Sequence, residues 1–368
     1  MTKNANIAVI RGDGIGIDVT DATLFCVTAA LSRMGLPALH TTDIAAGAGY
    51  FRDHGIDIEP GGEERAGTCD AIFLGAIGLP AIRHADGTEI SPHLRLRDRF
   101  QLYAGVRPVK AYPNAPQRLA DPRAKGIDMV ILRESTEGLF YSAAVHGRSQ
   151  VIGDDEVRDT LRITRDVTER LCRFGFRLAQ KRAARGKPGK LTCVDKANVF
   201  TSMAFFRKIF NEIAQEFPDT PVGYNYVDAQ ALDLVRKPWE FDVMVMENMF
   251  GDILSDLAGG LVGGMGMAAC GEYGDAHALF QPAHGSAPDI MGQDKANPLA
   301  AILSGALMLD YLGEKLGNPA MCDAGLLIEN AVDAGFAQNR LRPMEFGGDM
   351  GTRAVTEEVA TLIAEAHP

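Results

Sequence analysis

Short apolar runs that stop abruptly at glycine or at charge punctuate this chain. Residues 7–10 (Ile-Ala-Val-Ile) run into Arg11-Gly12-Asp13-Gly14-Ile15-Gly16, and residues 18–34 follow with helical periodicity until Gly35-Leu36-Pro37. Strand, glycine turn and helix in that order open an α/β domain. Residues 71–74 before Gly75-Ala76-Ile77-Gly78 repeat the strand-then-glycine pattern. Residues 129–132 and 191–194 predict two further buried strands, which run straight into Arg133-Glu134 and Asp195-Lys196. In α/β sheets ligands sit at the carboxyl ends of strands, so these charges are candidates for chemistry. Helical patterns cover 159–185 and 202–216, and the basic stretch 181–190, broken by Gly186, Pro188 and Gly189, reads as a solvated connection. There is no internal repeat and no low-complexity segment.

The most informative stretch is 245–266, VMENMFGDILSDLAGGLVGGMG, in which an apolar run enters Glu247 and a helix-compatible segment holds Asp252 and Asp256. Residues four apart share a helix face, and like charges there repel by roughly 0.2–0.5 kcal/mol even when exposed. Neighbouring Ile253, Leu254 and Leu257 predict partial burial, which raises that cost. A hard divalent cation such as Mg2+ or Mn2+ resolves it with oxygen ligands and retained waters. The plain alternative is two solvated aspartates on a surface turn.

At 368 residues the chain exceeds the size at which one core stops growing, so two domains are expected. A formal net charge of −11 and a pI near 5.3 argue against a nucleic-acid partner or an anionic membrane surface. No apolar run is long enough to span a bilayer, and the first residues read as a first strand rather than a secretory signal. Cysteines 26, 69, 172, 193, 270 and 322 are scattered without C-x-x-C pairs. Reduced thiols in a cytoplasmic protein without zinc are expected.

Against the acidic balance, Arg95, Arg97, Arg99 and Arg107 crowd one segment and Arg133 ends a strand, a set able to grip carboxylates bidentately. Surface arginines paired with Asp98 and other acids would look the same. Lys196, in Cys193-Val194-Asp195-Lys196-Ala197-Asn198, is a candidate general base or a structural lysine. The run His284-Gly285-Ser286-Ala287-Pro288-Asp289 lets backbone approach a ligand closely. Glycines at 12, 14 and 16 do not make the dinucleotide fingerprint G-x-G-x-x-G.

Taken together, the motifs resemble those of the β-decarboxylating dehydrogenases, the isopropylmalate, isocitrate, homoisocitrate and tartrate/D-malate enzymes. They occur in the family's order across essentially the whole chain: GDGIG at 12–16, LR at 96–97, VRP at 106–108 and REsTEG at 133–138. DKANV at 195–199, VDA at 227–229, FGDILSD at 250–256 and HGSAPDI at 284–290 complete the set. The resemblance implies a two-domain α/β fold that is not a Rossmann fold. Residues 1–104 and 264–368 would form a cofactor domain and 105–263 a substrate, metal and dimerisation domain, with the active site in the cleft between them.

By the same resemblance, Arg97, Arg107 and Arg133 bind the carboxylates of a malate-type substrate. Lys196 is the catalytic base toward the 2-hydroxyl, and Asp228, Asp252 and Asp256 ligate Mg2+ or Mn2+. Lys196 and Asp228 would serve the other subunit's site, which implies a homodimer. His284, Gly285, Ser286, Ala287 and Asn297 would line the adenosine site. Asp289-Ile290, where NADP-using relatives resemble Lys-Tyr, points to NAD, because an aspartate accepts from a ribose hydroxyl and repels a 2′-phosphate. The expected reaction is NAD- and metal-dependent oxidative decarboxylation of a 2-hydroxy-3-carboxy acid. Dehydrogenation without decarboxylation and a catalytically silent partner subunit are the alternatives.

Three departures stand out. Phe140 occupies the place of the family's tyrosine acid, with Tyr141 next to it; on a regular strand the two would face opposite ways, so a bulge would be needed to bring Tyr141 in. Ser91 and His93, in the segment that reads the substrate's variable group, suit a polar or carboxylated substituent better than an isopropyl one. The proline common after GDGIG is Ile17, to which no function attaches.

Overall fold

The computed structural model describes residues 4–144 and 149–366. The strands are β1 (Asn6–Gly12), β2 (His40–Asp43), β3 (Ala71–Ala76), β4 (Ala104–Lys110), β5 (Asp128–Glu134) and β6 (Gln150–Ile152). They continue with β7 (Glu156–Arg158), β8 (Leu191–Asp195), β9 (Val222–Tyr226), β10 (Val243–Met246), β11 (Ala269–Tyr273) and β12 (Ala278–Pro282). The helices are α1 (Gly16–Arg33), α2 (Ala48–His54), α3 (Gly62–Thr68), α4 (Pro92–Phe100), α5 (Phe140–Ala144) and α6 (Arg165–Ala184). After them come α7 (Thr201–Ala214), α8 (Val227–Arg236), α9 (Asn248–Leu261), α10 (Leu299–Leu316), α11 (Pro319–Ala337) and α12 (Thr352–Glu365).

One ten-stranded sheet in the order β2-β1-β3-β12-β11-β4-β5-β10-β8-β9 runs through the molecule, and β6-β7 form a separate hairpin. β11 is antiparallel to both β12 and β4, and β4 is antiparallel to β5. The carboxyl ends of β5, β10, β8 and β9 therefore lie along one edge, while those of β1, β3 and β12 lie along the other. Strands such as β3, AIFLGA, are buried at every position, as a sheet covered on both faces requires.

One face carries an apolar cover of helices in two groups. Phe73, Phe280 and Ala269 pack under α1, α10, α11 and α12, and Val106, Leu132 and Val245 under α6 and α7. The other face is covered in two separate pieces: Leu74, Leu279, Leu96 and Leu102 beside α4, and Ile131, Met244 and Leu254 beside α9. Between those pieces the cover gives way to charge, and the candidate site lies in that gap. Among the described residues no helix is long and apolar enough to cross a membrane.

The structure corrects three local expectations. Residues 159–164 are not helical: α6 starts at Arg165, because the Thr164 amide and hydroxyl donate to Glu137 at 2.8 and 2.7 Å and tie the chain down in extended form. The basic stretch 181–190 is not merely solvated. Lys181 pairs with Asp310 and Glu314 at 2.7 and 2.5 Å, and Arg182 pairs with Asp242, which is 1% exposed. Ile253 points outward and is 60% exposed, so of those three neighbours only Leu254 and Leu257 join Phe250, Ala258 and Leu261 on the buried side of α9.

Candidate active site

The arginine cluster divides by helix geometry. Arg95 and Arg99 are four apart on α4 and share a surface network, Arg95 with Asp57 and Glu63 at 2.9 and 2.6 Å and Arg99 with Glu63 and Glu64 at 2.9 Å. Arg97 lies on the opposite face and is buried, and it meets Arg107 from β4 and Arg133 from the end of β5, which are 7% and 2% exposed. Arg97 Nε, Arg107 Nε, Arg133 Nη2 and His93 Nδ1 are buried without a hydrogen-bond partner. Each such orphan costs about 1–3 kcal/mol, so this is a site that an anionic ligand would complete. Burial beside Arg107 and Arg97 pushes the Arg133 pKa down to about 9, which leaves it charged at neutral pH.

The cross-strand register explains why these groups meet. Glu272 on β11 pairs with Gly105 on β4, and Gly105 pairs with Arg133 on β5. Residues opposed in this way present side chains to the same face. A Cβ at Gly105 would stand 2.9 Å from Glu272 Oε2 and 2.5 Å from Ser135 Oγ, so the glycine is the gap across which Glu272 reaches the guanidiniums. Glu272 is fully buried and forms an ion pair with Arg97 at 2.8 Å. Burial alone would raise its pKa, but Arg97, Arg107 and Arg133 together bring it below the ordinary glutamate value. Sequence reading missed this residue. The available signal was an acid amid the small and apolar residues 269–271, where burial would be expensive without a partner.

Asp252 and Asp256 do share one face of α9, whose Glu247 N-cap accepts from the Phe250 amide at 3.3 Å. Arg133 donates to Asp252, and Arg107 Nη1 lies 3.3 Å from Asp252 and 3.6 Å from Asp256 while donating to Ser255 at 2.6 Å. Burial pushes the Asp256 carboxyl above its usual range; Arg107 opposes this and the neighbouring Asp252 charge adds to it. The helix approaches so closely that a Cβ on Gly251 would lie 2.6 Å from Arg133 Cβ. Two oxygen-donor carboxylates of this kind fit a hard divalent cation that keeps several waters. Within one chain, no group of three such side chains converges among the described residues.

Asp228 is engaged elsewhere, accepting from Lys196 Nζ at 2.6 Å, and that ammonium is the first cause holding its carboxyl below the usual range. The pair follows β8 and β9 on the same sheet edge as Arg133, with Lys196 about two strand spacings away, roughly 10 Å. Asp195 anchors the turn: fully buried, it accepts from the Ala197 amide at 2.8 Å and from Arg207 at 2.7 and 2.9 Å. Around the pair, Val199, Phe200, Tyr224, Leu232 and Val235 are exposed, as is Ile253.

The strand expected at Phe140-Tyr141 is instead the short helix α5. Helical neighbours diverge by about 100° rather than 180°, so no bulge is needed for both rings to flank one region. Phe140 lies 4.7 Å under the Arg133 guanidinium, and Tyr141 lies 4.6 Å under that of Arg162. On α4, Ser91 is the N-cap without a capping bond. Burial, then the charge of Arg97, pushes the His93 pKa down to about 3, so its imidazole is neutral.

The glycine turns and the 284–290 loop meet at the opposite sheet edge. The Ile15 amide donates to the Ser286 carbonyl at 2.7 Å, and Asp13 accepts from the Ala48, Gly49 and Gly78 amides at 2.8 Å. His284 Nδ1 contacts the Gly285 carbonyl at 2.9 Å, and its Nε2 is buried without a partner. Ala287 sits at φ 33° before the one-turn helix Pro288–Ile290, which leaves the Asp289 carboxylate exposed and packs Ile290 on the core. Asn297 donates to Glu345 at 2.9 Å. An exposed acid beside an orphaned ring nitrogen fits a ribose and adenine.

A cavity of about 710 Å³ lies elsewhere, at the edge where β5 begins, between α6 and α10–α11, lined by Phe174, Leu178, Tyr311 and Glu329. Its lining contains none of the arginine, aspartate, lysine or loop residues of the candidate site.

The family profile described as isocitrate/isopropylmalate dehydrogenase matches residues 6–363. The 3-isopropylmalate/3-methylmalate dehydrogenase of Methanocaldococcus jannaschii is 40% identical over 360 residues, which is 98% of this chain and 99% of that protein. The isocitrate/homoisocitrate dehydrogenase of Thermus thermophilus is 40% identical over 359 residues, 97% of this chain and 98% of that one. The crystal structure of a β-decarboxylating dehydrogenase from Thermococcus kodakarensis superposes with a TM-score of 0.77 at 37% identity, covering 98% of this chain and 96% of the other.

Proposed function

The chain belongs to the isocitrate/isopropylmalate dehydrogenase family of oxidoreductases, and from that premise we propose NAD- and Mg2+- or Mn2+-dependent oxidative decarboxylation of a malate-type 2-hydroxy-3-carboxy acid. One observation carries the reading: three buried guanidiniums with unpartnered donors stand against an aspartate pair on α9.

Arg97, Arg107 and Arg133 hold the substrate carboxylates and keep the departing one oriented. Asp252 and Asp256 would hold the cation, joined by Asp228 from the second subunit of a homodimer. When bound, the cation would supply Lewis-acid stabilisation of negative charge on the substrate, and NAD would supply the hydride acceptor. The partner's Lys196 takes the 2-hydroxyl proton. Tyr141 returns a proton to the enol carbon, a step for which Phe140 has no group to offer. Asp289 accepts from the adenosine ribose and repels a 2′-phosphate, with His284, Gly285, Ser286, Ala287, Ile290 and Asn297 forming the rest of that pocket. The shared site is supported by the position of the Lys196–Asp228 pair on a sheet edge whose flanking elements expose apolar side chains, among them Val199, Phe200, Leu232 and Val235.

Malate, tartrate, 3-methylmalate, isopropylmalate, isocitrate and homoisocitrate should be screened with NAD for NADH and CO2 release. Turnover should vanish with EDTA and return with Mn2+ or Mg2+. NADH formation in metal-free buffer, or without CO2, overturns the metal step or the decarboxylation respectively.

A further inference from the structure

Glu272 is a charge that the proposed chemistry does not use. It is fully buried, it is in the same cross-strand row as Arg133, and it pairs with Arg97 at 2.8 Å across the gap left by Gly105. A carboxylate with no access to water must be neutralised by what surrounds it. The two aspartates of α9 face a place for a cation; Glu272 pairs with Arg97, with Ser135 beside it and Arg107 and Arg133 acting on its charge through space. Other titratable groups around it add no compensation. Burial pushes the Cys270 thiol up to about 12, and the His93 imidazole is neutral.

The charge count follows. Arg97, Arg107 and Arg133 contribute three positive charges, and Glu272 permanently consumes one. Two remain, on Arg107 and Arg133, once a cation held by Asp252 and Asp256 offsets the contacts those aspartates make with them, which matches a substrate with two carboxylates. A third substrate carboxylate would enter a cluster where its counter-charge is taken and would stand near a fixed anion. Like charges so juxtaposed in a desolvated site are strongly disfavoured.

We propose that Glu272 is a specificity-determining residue, a resident carboxylate within the arginine cluster that selects dicarboxylic 2-hydroxy acids with an uncharged C3 substituent and rejects tricarboxylic ones. Gly105 is its enabling partner, since any side chain there would collide with Glu272 and Ser135. Neutral His93, with a buried nitrogen lacking a partner, can hydrogen-bond a polar uncharged substituent but brings no positive charge to a carboxylated one. The proposal rests on the malate-type reading above and narrows it.

The test compares wild type with Glu272→Gln, which keeps the shape and removes the charge, and Glu272→Asp, which keeps the charge. The readout is the ratio of kcat/KM for isocitrate or homoisocitrate to that for the best dicarboxylic substrate. Wild type and Glu272→Asp should both favour dicarboxylates, and Glu272→Gln should raise the ratio by roughly 10–100-fold, the worth of relieving a close like-charge contact. A purely structural Arg97–Glu272 pair would lower all substrates together and leave the ratio unmoved, and that result overturns the proposal. So does a wild-type preference for the tricarboxylates. A binding arm needs no turnover: calorimetry of the wild-type protein with succinate and with tricarballylate should show the dicarboxylate tighter, and equal or reversed affinities refute the selection. If every hydroxy acid fails to turn over, the malate-type reading has failed; the selection by Glu272 then stands only if the binding preference holds in wild type and is lost in Glu272→Gln, and a preference unchanged in that variant overturns it.

Discussion

Replacing Gly251 by alanine sets two effects of opposite sign against each other. Helix propensity alone favours alanine over glycine by about 0.8–1 kcal/mol in a helix interior. The packing says otherwise: the added Cβ would lie 2.6 Å from Arg133 Cβ, 2.7 Å from its Cγ and 3.0 Å from its Cα. Carbon pairs rest at about 3.5–4.0 Å, so α9 must retreat by roughly 1 Å. Arg133 cannot yield instead, because Asn248 and Asp252 hold its guanidinium and its Cα belongs to a central strand. Overpacking of this kind costs about 1–3 kcal/mol and outweighs the propensity gain. The net loss of up to about 2 kcal/mol lowers Tm by at most roughly 3 °C in a chain of this length, taking about 2.1 cal/mol/K per residue. Catalysis should suffer more, because the same 1 Å moves Asp252 and Asp256 against the arginines, and such a displacement can cost about 10²-fold. Gly260 on the same helix is exposed with no atom within 4 Å of a built Cβ, so Gly260→Ala should be neutral or stabilising by up to about 1 kcal/mol. Urea unfolding of both variants, with kcat/KM, is the assay. If Gly251→Ala is as stable and active as Gly260→Ala, the close seat of α9 on Arg133 is wrong.

Four other outcomes are expected. Asp289→Lys with Ile290→Tyr should shift preference toward NADP, and equal use of both cofactors by wild type would remove the basis for it. Mixed dimers of Lys196→Met and Asp252→Asn subunits should regain activity from two inactive parents; no recovery in dimers shown to have exchanged counts against a shared site. Tyr141→Phe should still form NADH while slowing the later steps by roughly 10²–10⁴-fold, and unaltered CO2 release would place the acid elsewhere. His93 has an ordinary value of 6.5 and is pushed to about 3 in the fold, first by burial and then by Arg97. The unfolded chain thus takes up a proton that the fold refuses, so stability should fall as pH drops from about 6.5 toward 3. His93→Gln should flatten that slope in unfolding experiments, and identical slopes would refute the assignment.

What the sequence made legible was local. Apolar runs ending at Arg133 and Lys196 became strand ends on one sheet edge, and the spacing of Asp252 and Asp256 survived as one helix face. Three features depended on long-range pairing and were not legible. Helix spacing separates Arg97 from Arg95 and Arg99, but which side of α4 is buried is set by where Asp57, Glu63 and Glu64 stand. Glu272 and Gly105 belong to segments far apart in the chain and meet only through strand register. The late start of α6 was set by Glu137, a side chain outside the helix, against a periodicity that continued past it.

The antiparallel seam where β11 lies beside β4 has a mechanical consequence. It joins the half of the sheet that carries α10–α12 to the half that carries α6–α9. Any relative rotation of those halves must hinge near this seam, and Glu272, Gly105 and Arg107 ride on its two strands. Groups on a pivot barely travel, whereas α4 and α9, set to either side, swing through longer arcs. Opening the molecule would therefore sweep Arg97 and the aspartate pair apart while the charges on the seam stay nearly still.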